Sequence, residues 1–268
     1  MTYNIQPFPR SRELLIDGFN MAAKRHIVHG FLEVDVTIPR TILKKTSGSD
    51  SRPLSFTGFV IASFARAIAV DPAVQAYRDL RNRLITFHDV DISTVVEPRP
   101  GMQPIPHIIR NANTLTVREI SEEIRSVQAD PHPWGQFEKS VGLITRLPRF
   151  IRVLFFRSLK LKPDWVKQVE GTAEVSSFGM FGKRPGWGIG FLNVHTIGLW
   201  VGGIANQPMA YQGKIALREC LHLTVSLDHD IVDGAPAARF ASTFADLLES
   251  GAALEVETHT SMPEDVQF

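Results

Sequence analysis

Three segments with strand character lie within the last hundred residues of this 268-residue chain. They read GTAEVSSFGMFG, TIGLWVGGI and CLHLTVSL, and they follow earlier segments of both helical and strand type. The segment GFLEVDVTI, residues 30–38, alternates apolar and polar side chains as a half-buried strand does. RLITFHDVDISTVVEP adds one or two strands, and PIPHII adds another. Interleaved strands and helices predict an α/β fold, a two-layer sandwich in which helices cover one side of a mixed β-sheet.

The ends of the helical segments are marked by capping and stop residues. SFTGFVIASFARAIAVDP begins at Ser55, a candidate N-cap, and stops at Pro72. In LTVREISEEIRSVQAD, Thr116 precedes Glu119 by three residues, which is typical of a capping box. Two further helical segments are predicted, residues 135–169, divided by Pro148 and Pro163, and APAARFASTFADLLESG, ended by Gly251.

The composition excludes several classes of protein. Apolar residues make up 44%, charged residues 21%, and the formal net charge is +1, so no strong field attracts nucleic acid. Neither a secretory leader nor an apolar run of the ~20 residues that a membrane span needs is found, which predicts a cytoplasmic protein. Cys220 is the only cysteine and lies in a strand-like segment, which favours a buried thiol over a nucleophile. We predict one domain over residues 1–254 and a flexible tail over 255–268.

A histidine between two aspartates follows the last predicted strand, in SLDHDIVDG. One interpretation of His229 is structural: a turn with an aspartate cap and a glycine, Gly234, at positive φ. The other is chemical, because a neutral imidazole can take a proton from a thiol, hydroxyl or amine while Asp233 fixes the loop or the ring tautomer. A metal site is the third possibility, but no second histidine or cysteine lies at ligand spacing, so we predict no metal.

Adjacent hydroxyls and several glycines occur together in EVSSFGMFGKRPGWGIG. The segment can form a hairpin or a bulge. Its glycine spacing does not fit a dinucleotide-binding loop, which needs a helix directly after the loop. Alternatively, Ser176 at a strand end can donate a hydrogen bond to a developing oxyanion.

The segment from Arg146 to Lys162 is both basic and apolar. On a helical projection Arg146, Arg149, Arg157 and Lys160 share one side, and a broad arc of leucine, isoleucine and phenylalanine lies opposite. Packing of this arc on the chain itself or on a neighbouring subunit is one prediction. Weak contact with a membrane surface through the basic helix 146–162, or a basic cover over a phosphate-bearing cofactor, are the alternatives.

Several segments over roughly residues 10–251 resemble, in the same order along the chain, the catalytic domain of 2-oxoacid dehydrogenase dihydrolipoamide acyltransferases. SLDHDIVDGAPAARFASTFADLLE is similar to the closing signature of that family, and GTAEVSSFGMFG to its Ser-Asn-Leu-Gly-Met-Phe-Gly segment. HDVDISTVVEP and LTVREISEEIRSV resemble, in matching order, the family's central strand and the helix that follows it. The resemblance implies the fold of chloramphenicol acetyltransferase and a homotrimer whose active sites lie between subunits. It also implies coenzyme A or acyl-CoA as a substrate.

The same resemblance implies roles for individual residues. His229 matches the general base, Asp233 the structural carboxylate, and Ser176 the hydroxyl that stabilises the tetrahedral intermediate. Ser177 stands where the family carries asparagine and is a second choice for that hydroxyl. The acceptor is a thiol, hydroxyl or amine, on a small molecule or on a lipoyl or carrier group. We expect no covalent lipoyl group in this chain.

Two departures from the family pattern affect these implications. Asp230 replaces the family arginine directly after the histidine, and a nearby carboxylate favours the protonated imidazolium. In chloramphenicol acetyltransferases an N-terminal arginine pairs with the motif aspartate, and both Arg10 and Arg12 are candidates for that role. A non-catalytic trimeric scaffold or membrane-associated binding module is therefore the alternative function. A condensation-type enzyme acting on carrier-protein thioesters is a third, although it needs two such folds.

Overall fold

A computed structural model of the chain describes residues 2–9, 11–49, 52–97, 104–129, 142–159, 163–179 and 184–254. The helices are α1 Ser11–Ala22, α2 Thr37–Ser49, α3 Phe56–Val70, α4 Val117–Ala129, α5 Arg149–Leu159, α6 Pro163–Glu170 and α7 Gly234–Ser250. The strands are β1 Ile27–Asp35, β2 Tyr77–Arg78, β3 Leu84–Ile85, β4 Ile92–Val96, β5 Ile105–Ile109, β6 Ala173–Ser177, β7 Ile197–Tyr211 and β8 Lys214–Asp228. The predicted tail, residues 255–268, lies outside the described residues.

Six strands form one mixed sheet in the order β1-β8-β7-β6-β4-β5. β4, β6 and β7 run parallel to one another, whereas β1, β8 and β5 pair antiparallel with their neighbours. β2 and β3 form a separate two-stranded ribbon. The prediction of a mixed sheet is therefore confirmed, and β8 and β7 are its second and third strands.

One face of the sheet carries the main hydrophobic core. Alternate residues of β8, from Leu221 to Leu227, belong to a single buried cluster with the apolar sides of α3 and α7. Within it the ring of Phe64 lies 5.8 Å from that of Phe240 and 5.3 Å from that of Phe244. Aromatic pairs at this separation add to the free energy gained by burying their area. β8 belongs to the sheet and α7 to the helical layer that covers it, and the carboxyl end of β8 comes directly before α7 in the chain.

The opposite face of the sheet is polar, although it is buried as well. The indole nitrogen of Trp200 donates to the Ser226 hydroxyl over 2.6 Å, and His29 contacts the same hydroxyl at 2.7 Å. The segment 184–196 runs against this face, and the indole nitrogen of Trp187 donates to the carbonyl of Leu32. β8 is consequently buried on both sides, which explains its nearly continuous burial from Cys220 to Asp228.

Several predicted helix ends are confirmed by their hydrogen bonds. The Ser55 hydroxyl accepts from the amide of Gly58 at the start of α3. Thr116 and Glu119 form the predicted capping box, since each side chain accepts from the backbone amide of the other. These amide and hydroxyl donors lower the pKa of the Glu119 carboxyl. Gly251 ends α7 with a φ of 71°.

Other boundaries differ from the prediction. The strand predicted over 30–38 is β1, 27–35, because the Asp35 carboxylate accepts from the amide and hydroxyl of Thr37 and so begins α2. β7 and β8 are much longer than their apolar segments, and they meet at a turn in which Gln212 and Gly213 both have positive φ. Their outer halves are exposed, with Ile215 85% accessible, so burial does not mark them in the sequence. The sequence analysis also omitted α1 and α2.

Helix α5 binds α1 through its arginines. Arg152 is buried, and its guanidinium contacts the carboxylates of Asp17 at 2.8 Å and Glu13 at 2.9 Å. Arg149 reaches the other oxygen of Asp17 at 3.1 Å. Because both carboxylates belong to α1, these ion pairs turn the arginine side of α5 inwards. These contacts also raise the pKa of Arg152, chiefly through its hydrogen bond to Asp17.

The apolar arc of α5 is exposed as a result. Phe150 is 72% accessible and Leu154 is 66% accessible. The prediction that this arc packs on its own chain is therefore wrong for these two side chains, because α1 binds the polar side instead. Packing on a neighbouring subunit and membrane contact stay predictions. In the part of the chain that the structure describes, no helix is both long and apolar enough to cross a bilayer.

Replacing Phe244, which is fully buried, with alanine tests the described core. We expect Phe244→Ala to lower the free energy of unfolding by about 3–5 kcal/mol, because it removes an aromatic side chain and leaves a cavity beside Phe64. Urea denaturation followed by circular dichroism measures the change. Phe8→Ala is the matched control, since Phe8 is 60% accessible, and a change of more than about 1 kcal/mol there would contradict the assignment of surface and core.

Candidate active site

His229 follows β8 at the edge of the sheet, and its side chain is exposed. Its backbone amide donates to the carbonyl of His26 over 2.8 Å. One residue earlier, the amide of Asp228 donates to the carbonyl of Thr196, at the start of β7. The Asp228 carbonyl then accepts from the amides of Ile231 and Val232, closing a turn. Backbone bonds therefore fix the position of His229 while its imidazole faces outwards.

A buried ion pair holds the strand end beneath His229. The guanidinium of Arg25 contacts the Asp228 carboxylate at 2.7 Å, and both side chains are at most 12% exposed. Arg25 also donates to the carbonyls of Asn193 at 2.9 Å and His195 at 2.6 Å. Because these bonds satisfy the buried charges on both sides, removing either partner would leave an unpaired charge. The pair ties the segment before β1 to the ends of β7 and β8.

Asp230 has a different partner, His26. The Nδ1 atom of His26 lies 2.8 Å from Oδ1 of Asp230, in an exposed position. The hydrogen bond to Asp230, together with the charge of that carboxylate, raises the pKa of His26. The side chain in the position of the family arginine is thus contacted by a histidine, a group that can carry a positive charge.

Asp233 is the N-cap residue of α7, with φ −75° and ψ 164°. Its side chain is exposed and forms no capping hydrogen bond within the described residues. Gly234 is the first residue of the helix and does not have positive φ, so that element of the turn interpretation is wrong. Arg10 lies outside the described residues, and no ion pair joins Arg12 to Asp233 in the described ranges. A direct contact of Asp233 with the loop stays a prediction.

Ser176 lies far from His229 of the same chain. It is half-buried in β6, where it pairs with Trp200, and Trp200 in turn pairs with Thr224 of β8. His229 comes five residues after Thr224 along the antiparallel strand, and at ~3.3 Å per residue this places it about 16 Å further along the sheet. The structure therefore does not bring the two predicted catalytic residues together within one chain. Ser177, the second choice, pairs with Val201 and lies further still from His229.

The backbone is closely packed next to Ser177. The amides of Phe178 and Gly179 both donate to the carbonyl of Val201. A Cβ atom on Gly179 would lie 2.1 Å from the carbonyl oxygen of Gly202, so a side chain does not fit there. Residues 180–183 of the segment lie outside the described residues, so the hairpin or bulge stays a prediction.

A cleft of about 190 Å³ opens at the His229 edge of the sheet. Both sequence neighbours of His229, Asp228 and Asp230, line it, together with Arg25, Tyr77 and Arg78. The cleft thus contains both cationic and anionic groups beside the candidate base. Such a recess can hold the reacting end of a small substrate.

A second histidine, His195, is buried behind the cleft. Its Nε2 lies 2.8 Å from the carbonyl of Glu170, so that nitrogen carries a hydrogen and donates. Nδ1 lies 3.5 Å from the carboxylate of Glu174. Burial alone would lower the pKa of His195, but the neighbouring Glu174 and Glu170 together outweigh it and raise the pKa overall. His195 links β6 to the start of β7 and is held by these contacts.

Two other chemical interpretations of the sequence are addressed by the structure. Cys220 is fully buried, and burial raises the pKa of its thiol to about 11, so it is a protonated thiol at neutral pH. Among the described residues, no group of three or more histidine, cysteine, aspartate or glutamate side chains could hold a metal ion.

Sequence analysis missed Arg25 and His26. Both precede β1 and are about 200 residues from the loop that they contact. The only sequence signal for these two residues was that they are cationic groups directly before a strand predicted to lie in the same sheet. The antiparallel pairing of Ile27 with Asp228 brings Arg25 and His26 into contact with that loop.

Curated relatives of the chain are acyltransferase components. The chain is 24% identical over 264 residues to the dihydrolipoyllysine-residue acetyltransferase component of the pyruvate dehydrogenase complex of Rickettsia bellii, which covers 96% of this chain and 55% of the relative. It is 27% identical over 238 residues to the lipoamide acyltransferase component of the branched-chain alpha-keto acid dehydrogenase complex of Bacillus subtilis, covering 85% and 48%. The chain thus spans about half the length of the curated relatives it matches.

Solved structures share the fold. The dihydrolipoamide acetyltransferase of Azotobacter vinelandii superposes with a TM-score of 0.70 at 21% identity, covering 94% of both chains. The cubic core of a pyruvate dehydrogenase multienzyme complex gives 0.69 at 22% identity, again with 94% coverage of both. A chloramphenicol acetyltransferase gives 0.50 at 13% identity, covering 93% of this chain and 97% of the other. The predicted chloramphenicol acetyltransferase-like fold is confirmed.

The model of one protein family matches most of the sequence. It is described as 2-oxoacid dehydrogenases acyltransferase (catalytic domain), and it matches residues 6–132 and 156–256. The unmatched interval, 133–155, includes the first seven residues of α5. With over half of its residues matched, the chain belongs to the 2-oxoacid dehydrogenase acyltransferase family, as a form of its catalytic domain.

Proposed function

We propose that this protein transfers an acyl group between coenzyme A and a thiol, hydroxyl or amine acceptor. The observation that carries the proposal is the family match over both segments that hold the candidate residues, Ser176 and His229. Relatives named as acetyltransferase and succinyltransferase components support acyl transfer as the reaction class. Coenzyme A or its acyl thioester is the substrate, and a lipoyl or other carrier thiol is the acceptor most similar to those of the relatives.

His229 is the general base in this proposal. Its imidazole takes the proton from the acceptor thiol, and the sulfur then attacks the carbonyl carbon of the thioester, forming a new C–S bond. The tetrahedral intermediate breaks the C–S bond to coenzyme A, whose thiolate receives the proton from the imidazolium. The backbone bond from His229 to His26 supports this role, because it fixes the loop without engaging the ring.

Ser176 of a neighbouring subunit donates its hydroxyl hydrogen to the oxyanion of that intermediate. The distance between Ser176 and His229 in one chain supports a site shared between two copies. In the Azotobacter vinelandii acetyltransferase, a serine, a histidine and an asparagine four residues after that histidine were studied for their role in catalysis. His229 and Asp233 have the same spacing. A homotrimer with three such sites follows from the family resemblance, and Asp233 holds the loop.

Substituting His229 tests the base. We expect His229→Ala to lower kcat by 10²–10⁴-fold while leaving the circular dichroism spectrum unchanged, since the ring is exposed. Chromatographic measurement of coenzyme A released from acetyl-CoA, with dihydrolipoamide as acceptor, gives the rate, and succinyl-CoA and isobutyryl-CoA extend the acyl range. His88→Ala is the matched control, because His88 is also exposed but lies on the loop after β3. Wild-type turnover in His229→Ala would refute the mechanism.

Mixed assemblies test the shared site. We expect Ser176→Ala alone to lower kcat by about 10²–10³-fold. When chains carrying Ser176→Ala and His229→Ala are coexpressed and assemble at random, about a quarter of the interfaces contain both native residues. Activity should therefore recover to about a quarter of the wild-type value in the purified mixed trimers. Recovery no greater than the sum of the two separate variants would contradict a site built from two subunits.

The exposed side of α5 supports a second, smaller proposal: weak contact with an anionic membrane surface. Phe150, Leu154 and, just before the helix, Leu143 are all more than 60% accessible. The sequence from 142 to 162 contains six arginine or lysine residues and no acidic residue. The bonds from Arg149 and Arg152 to α1 hold the apolar side outwards, as an interfacial helix requires.

Vesicle binding tests this surface. We expect the protein to co-sediment with phosphatidylglycerol vesicles more than with phosphatidylcholine vesicles, and the double variant Phe150→Ser, Leu154→Ser to lose that binding. Ile215→Ser is the matched control, since Ile215 is equally apolar and exposed but lies at the tip of the β7–β8 hairpin. Equal sedimentation with and without phosphatidylglycerol would remove the membrane proposal.

A further inference from the structure

The charge next to the base is the feature of this chain that the proposed function leaves unexplained. The family arginine after the histidine is Asp230 here. A carboxylate beside an imidazole stabilises the protonated ring, which cannot accept a proton. If the charge of Asp230 acted alone, His229 would be a poorer base at neutral pH.

Two charges on the loop are balanced in different ways. Asp228 is neutralised by Arg25, which is always charged. Asp230 is contacted at 2.8 Å by the imidazole of His26, a group that titrates. The amide of Asp230 also donates to a carboxylate oxygen of Asp228, so the two aspartates share one loop conformation.

His26 contacts the loop with both its backbone and its side chain. Its carbonyl accepts the amide hydrogen of His229, and its ring binds Asp230. The side chains of the His26–Asp230 pair are 80% and 41% exposed, and exposed ion pairs contribute little to folding stability. A contribution to folding stability therefore explains the pair poorly. Because Asp230 directly follows the candidate base in the chain, the pair can instead set the charge next to that base.

We propose that His26 is a positioning residue for the transfer: its ring pairs with the Asp230 carboxylate and its carbonyl accepts the amide hydrogen of His229, so that the charge next to the base is balanced and the base is held in place. The inference rests on the proposed function, since it assigns a task to a residue that touches the base only through the backbone. It extends that function by identifying the group that replaces the charge of the family arginine.

The sign of the effect follows from the direction in which His26 titrates. Hydrogen bonding to Asp230, with a further contribution from the charge of Asp228, raises the pKa of His26. The ion pair is therefore fully present below the ordinary pKa of a histidine and is lost as the pH rises through the raised pKa of His26. The other charged groups at this edge are Arg25, which Asp228 neutralises, Arg78, which donates to Asn82, and Asp233.

The experiment measures the titration of His229 by NMR and the pH dependence of kcat/KM in the same full-length variants. In His26→Gln the uncompensated carboxylate should raise the midpoint of His229 by about half a pH unit, equivalent to about a threefold loss of kcat/KM on the acid side. Adding Asp230→Asn to His26→Gln removes the carboxylate and should return the midpoint to the wild-type value. The His229→Ala spectrum identifies the signal.

His107→Gln is the matched control, because His107 also lies 2.8 Å from a carboxylate, that of Glu123, between β5 and α4. It should leave both readouts unchanged. An unchanged His229 midpoint in His26→Gln would overturn the inference whether or not the protein turns over acyl-CoA. A shifted midpoint that the double variant reverses, in a protein without turnover, would support the charge coupling and refute the proposed function instead.

Discussion

The pairing of β7 with β8 is the constraint on which the rest of the structure depends. Both strands have 15 residues, and both are interior strands of the sheet. β8 is buried on both faces, by the apolar layer of α3 and α7 on one side and by the polar layer around Trp200 on the other. Because β6 runs parallel to β7 and β8 runs antiparallel, the strand ends bearing Ser176 and His229 point to opposite edges. The topology thus separates the two residues that the proposed chemistry needs together.

Two ion pairs lie at the His229 edge of the sheet, one buried and one exposed. The buried Arg25–Asp228 pair is structural, since it joins three backbone segments and is shielded from solvent. The exposed His26–Asp230 pair lies above it and contributes little to stability. The buried pair contains an arginine, whose charge is permanent, whereas the exposed pair contains a histidine, which can gain or lose its charge.

Much of the fold was predictable from the sequence because its signals are local. The capping box at Thr116, the stop of α7 at Gly251 and the apolar segments of the central strands all depend on neighbouring residues. The outer half of the β7–β8 hairpin was not predictable, because Ile215 and Leu217 are exposed and show no burial pattern that distinguishes a strand from a loop.

The candidate site shows the same division. The position of His229 at a strand end followed from the local pattern, and its proposed role from the family resemblance. The contact of His229 with His26 could not be predicted in this way, because it joins residues 203 positions apart and depends on strand pairing. The contact of α5 with α1 was not predicted for a related reason: Asp17 and Glu13 bind its arginines from a helix that was not identified from the sequence.

The separation of Ser176 from His229 has a consequence for how activity depends on concentration. The main cluster of buried apolar residues is formed by one chain alone, and we therefore expect a dissociated protomer to stay folded. Under the proposed function, that protomer would hold half of each of two sites and none complete. Turnover per chain would then follow the assembly equilibrium by mass action, falling on dilution while the fold persists. Regulation of such an enzyme could act on association alone, without any change at the reacting groups.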